Sequence, residues 1–329
     1  AAARESLDLG ATMGALWRQG CDKLTLILDP QLAGLGPWIE QLVAQSTGKL
    51  GRGILPVIEP LPENPRMFGE DRWLVHVGLT QGTVPEPALE ALAAAGNPLV
   101  RITLDDPYDL GGVFLKWELA AAIAGHLLSV NPFVQPDAQR SEIKTQEVLG
   151  VYRKTGQLPR PTPAYQDAQV AMLSDSAIAK PDAVWAEFLQ PANEAPDAPR
   201  PYIAIQAYVS PSAAMDEALE ALRRKIAQRC RHAVTLEYGP RCLHTTGQLH
   251  KGNAGRGRFV QIIGPTRHDL AIPDSAGQVA GKLTFGILKQ AQALGDREAL
   301  RGTGRRVISF LFAKDVISGL EKLADRIQA

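Results

Sequence analysis

Over the first 150 residues, short continuous apolar runs alternate with stretches whose apolar positions recur at helical spacing. Lys23–Leu28 (KLTLIL), 54–58, 73–77 and Leu99–Leu104 predict strands that are apolar on both faces. After Asp29-Pro30 a helix runs through Trp38, Ile39, Leu42 and Val43 and stops at Thr47-Gly48. A second helix, 85–95, opens on a proline, whose missing N–H costs nothing at that position. Residues 112–130 are apolar almost all round, which predicts one long central buried helix. It ends at Asn131-Pro132, because proline cannot donate to the helix ladder and restricts the residue before it. Asp137 or Ser141 then caps a helix through Ile143, Val148 and Tyr152.

The pattern degrades over 156–200, which is rich in proline and holds one short helical stretch at 182–189. Alternation resumes with strands at 202–209, 233–237, 259–263 and Arg306–Phe312, and helices at 213–229, 282–294 and 316–327. Helices between two-sided apolar strands make an α/β protein: a three-layer sandwich with a mostly parallel sheet, followed by a second α/β unit. The expected division is 1–155, an irregular connection at 156–200, and 201–329. Ligands on such sheets lie where strands end, which directs attention to Asp29, Glu59 and Asp105-Asp106.

Composition narrows the function classes. The 329 residues carry 35 acidic and 35 basic side chains, so no bulk field draws the protein to nucleic acid or anionic lipid. Apolar residues make up 45% of the chain, and no run approaches the roughly 20 residues of a membrane span. Three cysteines cannot all pair internally and lack metal-ligand spacing. With no signal peptide visible, a reduced, cytoplasmic setting is expected.

Two segments carry most of the chemistry. Residues 131–136 (NPFVQP) hold Gln135 between prolines, and residues 238–252 (YGPRCLHTTGQLHKG) crowd Arg241, His244, Gln248, His250 and Lys251 among three glycines. Glu59, fixed before Pro60 at a strand end, is placed as a general base, or is an ordinary loop carboxylate. His250 and His244 suit acid–base work near neutrality, or tie down loop carbonyls. Ser46, Thr47 and Lys49 at a helix end can meet a sugar hydroxyl or phosphate, although a lysine there needs no function. Cys242 is a thiol nucleophile or a packing residue. The Walker phosphate loop is absent, and Gly10 to Gly14 lacks the strand that a nucleotide fingerprint needs. No metal and no cofactor is expected.

Four stretches together resemble phosphoglucose isomerase, in particular the isomerase part of bacterial transaldolase/phosphoglucose isomerase fusions. They are 40–49 (EQLVAQSTGK), 58–60 (IEP), 131–136 leading to Lys144, and 238–252 with its continuation 285–296 (FGILKQAQALGD). The resemblance implies sugar-isomerase domains that interconvert glucose 6-phosphate and fructose 6-phosphate through an enediol. It implies Glu59 as the proton shuttle, Gln135 as the glutamine of the N-x-F-x-Q segment, and Lys144 as the assisting lysine. This chain departs from the family's Q-P-x-V-E run, having 137–144 (DAQRSEIK) instead. It also lacks the family's His-His-Lys; His76 falls in that interval but inside a strand. His250, or His244 in its place, then opens the ring. Gln135, Ser46, Thr47, Lys49, Arg241, His244, Gln248 and Lys251 would bind substrate. The family's first sugar-isomerase domain and the transaldolase barrel are expected in the same, longer polypeptide, and a homo-oligomer is left open. A non-catalytic sugar-phosphate-binding module is the competing expectation.

Overall fold

The computed structural model describes residues 2–62, 64–175, 181–189 and 200–327. Helix α1 (Ala2–Arg18) leads into β1 (Lys23–Leu28), α2 (Leu35–Thr47), β2 (Leu55–Ile58), β3 (Arg72–Leu79), α3 (Glu86–Ala94) and β4 (Leu99–Leu104). These four strands form a wholly parallel sheet in the order β2-β1-β3-β4. Two long helices follow, α4 (Leu110–Leu127) and α5 (Ala138–Thr155), the latter closed by Gly156 at φ 71°, the left-handed conformation that glycine adopts without penalty.

The second unit comprises β5 (Tyr165–Gln166), β6 (Val170–Leu173), α6 (Pro181–Phe188), β7 (Tyr202–Tyr208), α7 (Ala213–Cys230), β8 (Ala233–Tyr238), α8 (Gly247–Gly252), β9 (Gly257–Ile263), β10 (Ala271–Ile272), β11 (Leu283–Thr284), α9 (Phe285–Gly302), β12 (Arg306–Phe312) and α10 (Val316–Asp325). Its main sheet has the order β5-β6-β12-β9-β7-β8, parallel from β12 to β8 and antiparallel at β6 and β5. The architecture is mixed α/β, with a mostly parallel sheet in each unit. Residues 156–175 are more than a connection, since β6 hydrogen-bonds to β12; 176–180 and 190–199 lie outside the described residues.

Edge strand β2 lies beside edge strand β8, so the two sheets meet side by side. Strand β7 shows how two helical layers cover the junction. Ile203, Ile205 and Ala207 pack with Leu219 and Leu222 of α7, whereas Tyr202 and Ala204 face the other way, onto Leu249 of α8, Ala44 of α2 and Phe259. The period of two thus separates an α7 side from an α2–α8 side.

Two expectations, on α4 and on 238–252, need correction. Helix α4 is not enclosed: Phe114, Leu115 and Leu119 are 37%, 53% and 41% exposed. Gly10 and Gly14 lie on α1 where it crosses α4. A Cβ on Gly10 would come within 2.7 Å of Ile123 and one on Gly14 within 2.5 Å of Leu127, so these glycines permit close helix contact. The stretch 238–252 is largely helical, with a 3-10 turn at Arg241–Leu243 followed by α8.

Candidate functional site at the α2–α8 junction

Residues 241–252 run alongside 37–51. Arg241 donates to the Pro37 carbonyl at 3.4 Å, and the Gln45 side chain donates to the His244 carbonyl. Further on, Gly51 N–H donates to the Gly252 carbonyl at 2.8 Å. Gly48 is glycine because a Cβ there would lie 2.3 Å from Leu249 Cα.

Gln248 joins the two segments singled out in the sequence. Its Oε1 accepts from Asp137 N–H at 2.9 Å and Ala138 N–H at 3.2 Å, the first amides of α5, just beyond residues 131–136. Its Nε2 donates to the Gly48 carbonyl at 2.9 Å and to Asp137 Oδ2 at 2.8 Å. One buried amide thereby satisfies groups orphaned at the end of α2 and at the start of α5. Gln248 acts as a tie within the fold.

Ser46, Thr47 and Lys49 also turn inward. Thr47 Oγ1 donates to the Val43 carbonyl at 2.7 Å and accepts from Ile54 N–H at 3.0 Å. Lys49 Nζ donates to the carbonyls of Gln45 and Ser46. Burial lowers the Lys49 ammonium to about 8, with Asp137 opposing the shift. Ser46 is buried as well. This run closes a helix, and its hydroxyls do not form an open phosphate cradle.

His250 is fully enclosed. Its Nδ1 lies 2.8 Å from the Tyr202 hydroxyl, its ring stacks on Tyr202 and meets Phe259 edge-on, and its carbonyl accepts from Arg305 Nε at 3.0 Å. Burial first, then the charges of Lys251 and Arg305, hold it well below the usual imidazole range. The neutral ring shares one hydrogen bond at Nδ1 with the Tyr202 hydroxyl, its direction set by the tautomer, and that hydroxyl accepts from Asn253 Nδ2 at 3.0 Å. Lys251 is equally buried, with Nζ 2.9 Å from Asp296 Oδ1 but without hydrogen-bond alignment.

Glu59 is on the other side of the junction. Both carboxylate oxygens are taken, one by Arg72 of β3 and one by Arg223 of α7 at 3.0 Å, and only 7% of the side chain is exposed. Arg223 also pairs with Glu220 at 2.7 Å, and Arg72 reaches Thr25 Oγ1 at 3.2 Å. Glu59 thus faces the α7 side, whereas His250, with Tyr202 and Phe259, faces the α2–α8 side. The structure does not bring them into one cleft. Gln135, Arg241 and His244 are exposed. Lys144 is partly exposed on α5 and paired with Glu147 at 2.8 Å. Asp29 accepts from Leu79 N–H and Val84 N–H, and Asp109 from the Asp105 and Asp106 amides, so these aspartates shape turns.

Sequence reasoning missed the carboxylates that do meet this segment: Glu237 on β8, Glu40 on α2 and Asp296 on α9, all buried. Asp296 accepts from Gln206 Nε2 at 2.9 Å and from Ser141 Oγ at 2.7 Å. Each is charged at a position where the local period calls for an apolar residue. Glu237 shares a strand face with Ala233 and Thr235, and Glu40 lies between Ile39 and Val43 on the buried side of α2.

No family model matches the chain. Curated relatives include the glucose-6-phosphate isomerases of Symbiobacterium thermophilum (26% identical over 178 residues, 43% of this chain and 40% of that protein) and Alkaliphilus metalliredigens (28% over 177 residues, 41% and 39%). The chain spans about two-fifths of the length of the curated relatives it matches. The similarity to glucose-6-phosphate isomerases is distant and partial. A hypothetical protein of Thermus thermophilus aligns over 98% of this chain and 82% of its own, with TM-score 0.32 and 15% identity. The C-terminal domain of glucosamine-fructose-6-phosphate aminotransferase from Francisella tularensis aligns over 98% and 89%, with TM-score 0.28 and 8% identity. Among the described residues, no helix is long and apolar enough to cross a membrane.

Proposed function

We propose that the chain belongs to a phosphosugar isomerase that interconverts glucose 6-phosphate and fructose 6-phosphate, working within a longer transaldolase/phosphoglucose isomerase polypeptide. The observation that carries this reading is the similarity to glucose-6-phosphate isomerases over some 178 residues. Exposed Arg241, His244 and Gln135 supply a guanidinium, an imidazole and an amide beside the α2–α8 junction, groups that suit a phosphate and sugar hydroxyls. In this reading His244, exposed where His250 is buried, opens the ring, and His250 supports the wall beneath it. Glu59 moves the proton between C2 and C1, with Arg72 and Arg223 fixing its carboxylate. The proton passes between adjacent carbons, so the chemistry needs no cofactor.

A binding module without turnover is the second reading. It is favoured by the two arginines that already occupy Glu59 and by His250, which packs with Tyr202 and Phe259 on the other side of the junction. Turnover and glucose 6-phosphate affinity, measured together on wild type and Glu59→Gln, separate the two. The isomerase reading expects a loss of roughly 100-fold or more in turnover with binding retained. Unchanged turnover removes Glu59 from the mechanism, and binding without any wild-type turnover establishes the module.

A further inference from the structure

The amino edge of the second sheet holds a cavity of about 410 Å³, lined by neither Arg241, His244 nor Glu59. Its walls come from the start of β12, from Ser174 just past the end of β6, from α6 and from the end of α9. Strand β6 runs antiparallel to β12, with Leu173 opposite Ser309, so both segments reach the same edge. Strands β7, β8, β9 and β12 are parallel, which puts this edge opposite the carboxyl end of β8, from which Arg241 and His244 follow. The cavity is therefore separate from the site proposed above, and its size suits a small organic ligand.

One wall is apolar and the other cationic. Val184 and Phe188 of α6 with Val307 and Ile308 of β12 make the first, and Arg301, Arg305 and Arg306 make the second. Among the described lining residues these three guanidiniums face one carboxylate, Asp175, a local excess in a chain whose charges balance. A basic side chain at a helix carboxyl end accounts for Arg301 alone. It does not account for Arg305 and Arg306 beyond the helix, or for Arg258, which pairs in register with Arg306.

The donors divide by role. Arg305 is buried and spends its nitrogens on the carbonyls of His250, Thr303 and Asn253, so it offers the cavity charge alone. Arg306 is exposed and lies 5.7 Å over the Phe188 ring, where the two walls meet. Arg301 holds Asp175 through Nε at 2.7 Å and Glu298 through Nη1 at 3.0 Å, and among the described residues its Nη2 has no partner. One turn earlier on α9, Arg297, its side chain 5% exposed, reaches the same Asp175 oxygen at 3.3 Å and keeps Nε buried without a partner. Two arginines thus converge on one carboxylate oxygen with donors unspent, an arrangement that suits the several oxygens of a phosphate.

We propose that this cavity binds a phosphate monoester carrying a small ring or apolar group, with the phosphate on Arg301 and Arg306 and the organic part against Val184 and Val307. The inference does not depend on the isomerase reading.

Phenyl phosphate and inorganic phosphate, titrated calorimetrically into wild type, Arg301→Gln, Arg301→Lys and Arg306→Gln, test it; both positions are exposed, so the fold should tolerate the changes. Losing a charge-assisted pair should weaken phenyl phosphate about tenfold or more in either glutamine variant. Arg301→Lys keeps the charge but not the planar fork and should recover part of that loss. Inorganic phosphate, which leaves the apolar wall unused, should bind wild type about tenfold more weakly than phenyl phosphate. Arg241→Gln, in the site proposed above, should leave phenyl phosphate affinity unchanged. Equal affinity in wild type and both glutamine variants, a loss confined to Arg241→Gln, or no binding at about 10 mM overturns the inference.

Discussion

Replacing Gln248 with alanine tests whether one side chain ties the end of α2 to the start of α5. The substitution removes four hydrogen bonds, of 2.9, 3.2, 2.9 and 2.8 Å. At about 0.5–1.5 kcal/mol net for each neutral bond, the total is roughly 2–6 kcal/mol. Asp137 is only part-buried, so water can re-solvate its amide and carboxylate, which places the expected loss near the lower end, at about 3 kcal/mol. Urea unfolding gives the loss, and amide exchange locates it: protection should fall at Asp137 and Ala138 before it falls in the strands. Gln248→Glu sharpens the test. It keeps an acceptor for the two amides but places a carboxylate against Asp137 Oδ2 and the Gly48 carbonyl, and should cost at least as much as alanine near neutrality. A loss below about 1 kcal/mol with unchanged exchange at 137 and 138 would refute the role assigned to Gln248.

Three further outcomes are expected. Gly48→Ala should cost about 1–3 kcal/mol in urea unfolding because the new Cβ meets the Leu249 backbone, whereas Gly150→Ala, with open space around it on α5, should gain up to about 1 kcal/mol. Arg223→Met should cost about 3 kcal/mol by the same measurement, since it takes one of two partners from an enclosed Glu59. Burial, then the charge of Arg258, lowers His232 to about 4. The unfolded chain therefore binds a proton at this site near pH 6.5 that the native state refuses until about 4, and stability should fall as pH drops through that window. His232→Gln should flatten this part of the pH–stability curve.

The layered α/β plan was legible because its strands are two-sided apolar runs and its helices keep their period, as in Lys23–Leu28 and α7. Helix α1 was not read, and its Gly10 and Gly14, which permit a close helix crossing, carry no mark of that packing in composition alone. The segment 238–252 was rightly marked as unusual, but polar density does not show which way groups point. Every residue of α8 is buried, so Gln248, His250 and Lys251 serve the interior. Glu40, Glu237 and Asp296 were hidden for the opposite reason: each is charged where the local period calls for an apolar residue, and the Ser141, Gln206 and Lys251 groups that meet Asp296 lie on distant parts of the chain.

Proton exchange during turnover tests the isomerase account most directly. The chain, and in parallel the longer polypeptide proposed for it, is incubated with glucose 6-phosphate in deuterium oxide and followed by NMR. The account predicts fructose 6-phosphate formation, with solvent deuterium entering at the carbon that receives the transferred proton. Glucose 6-phosphate that remains unconverted and unlabelled with both proteins would contradict it.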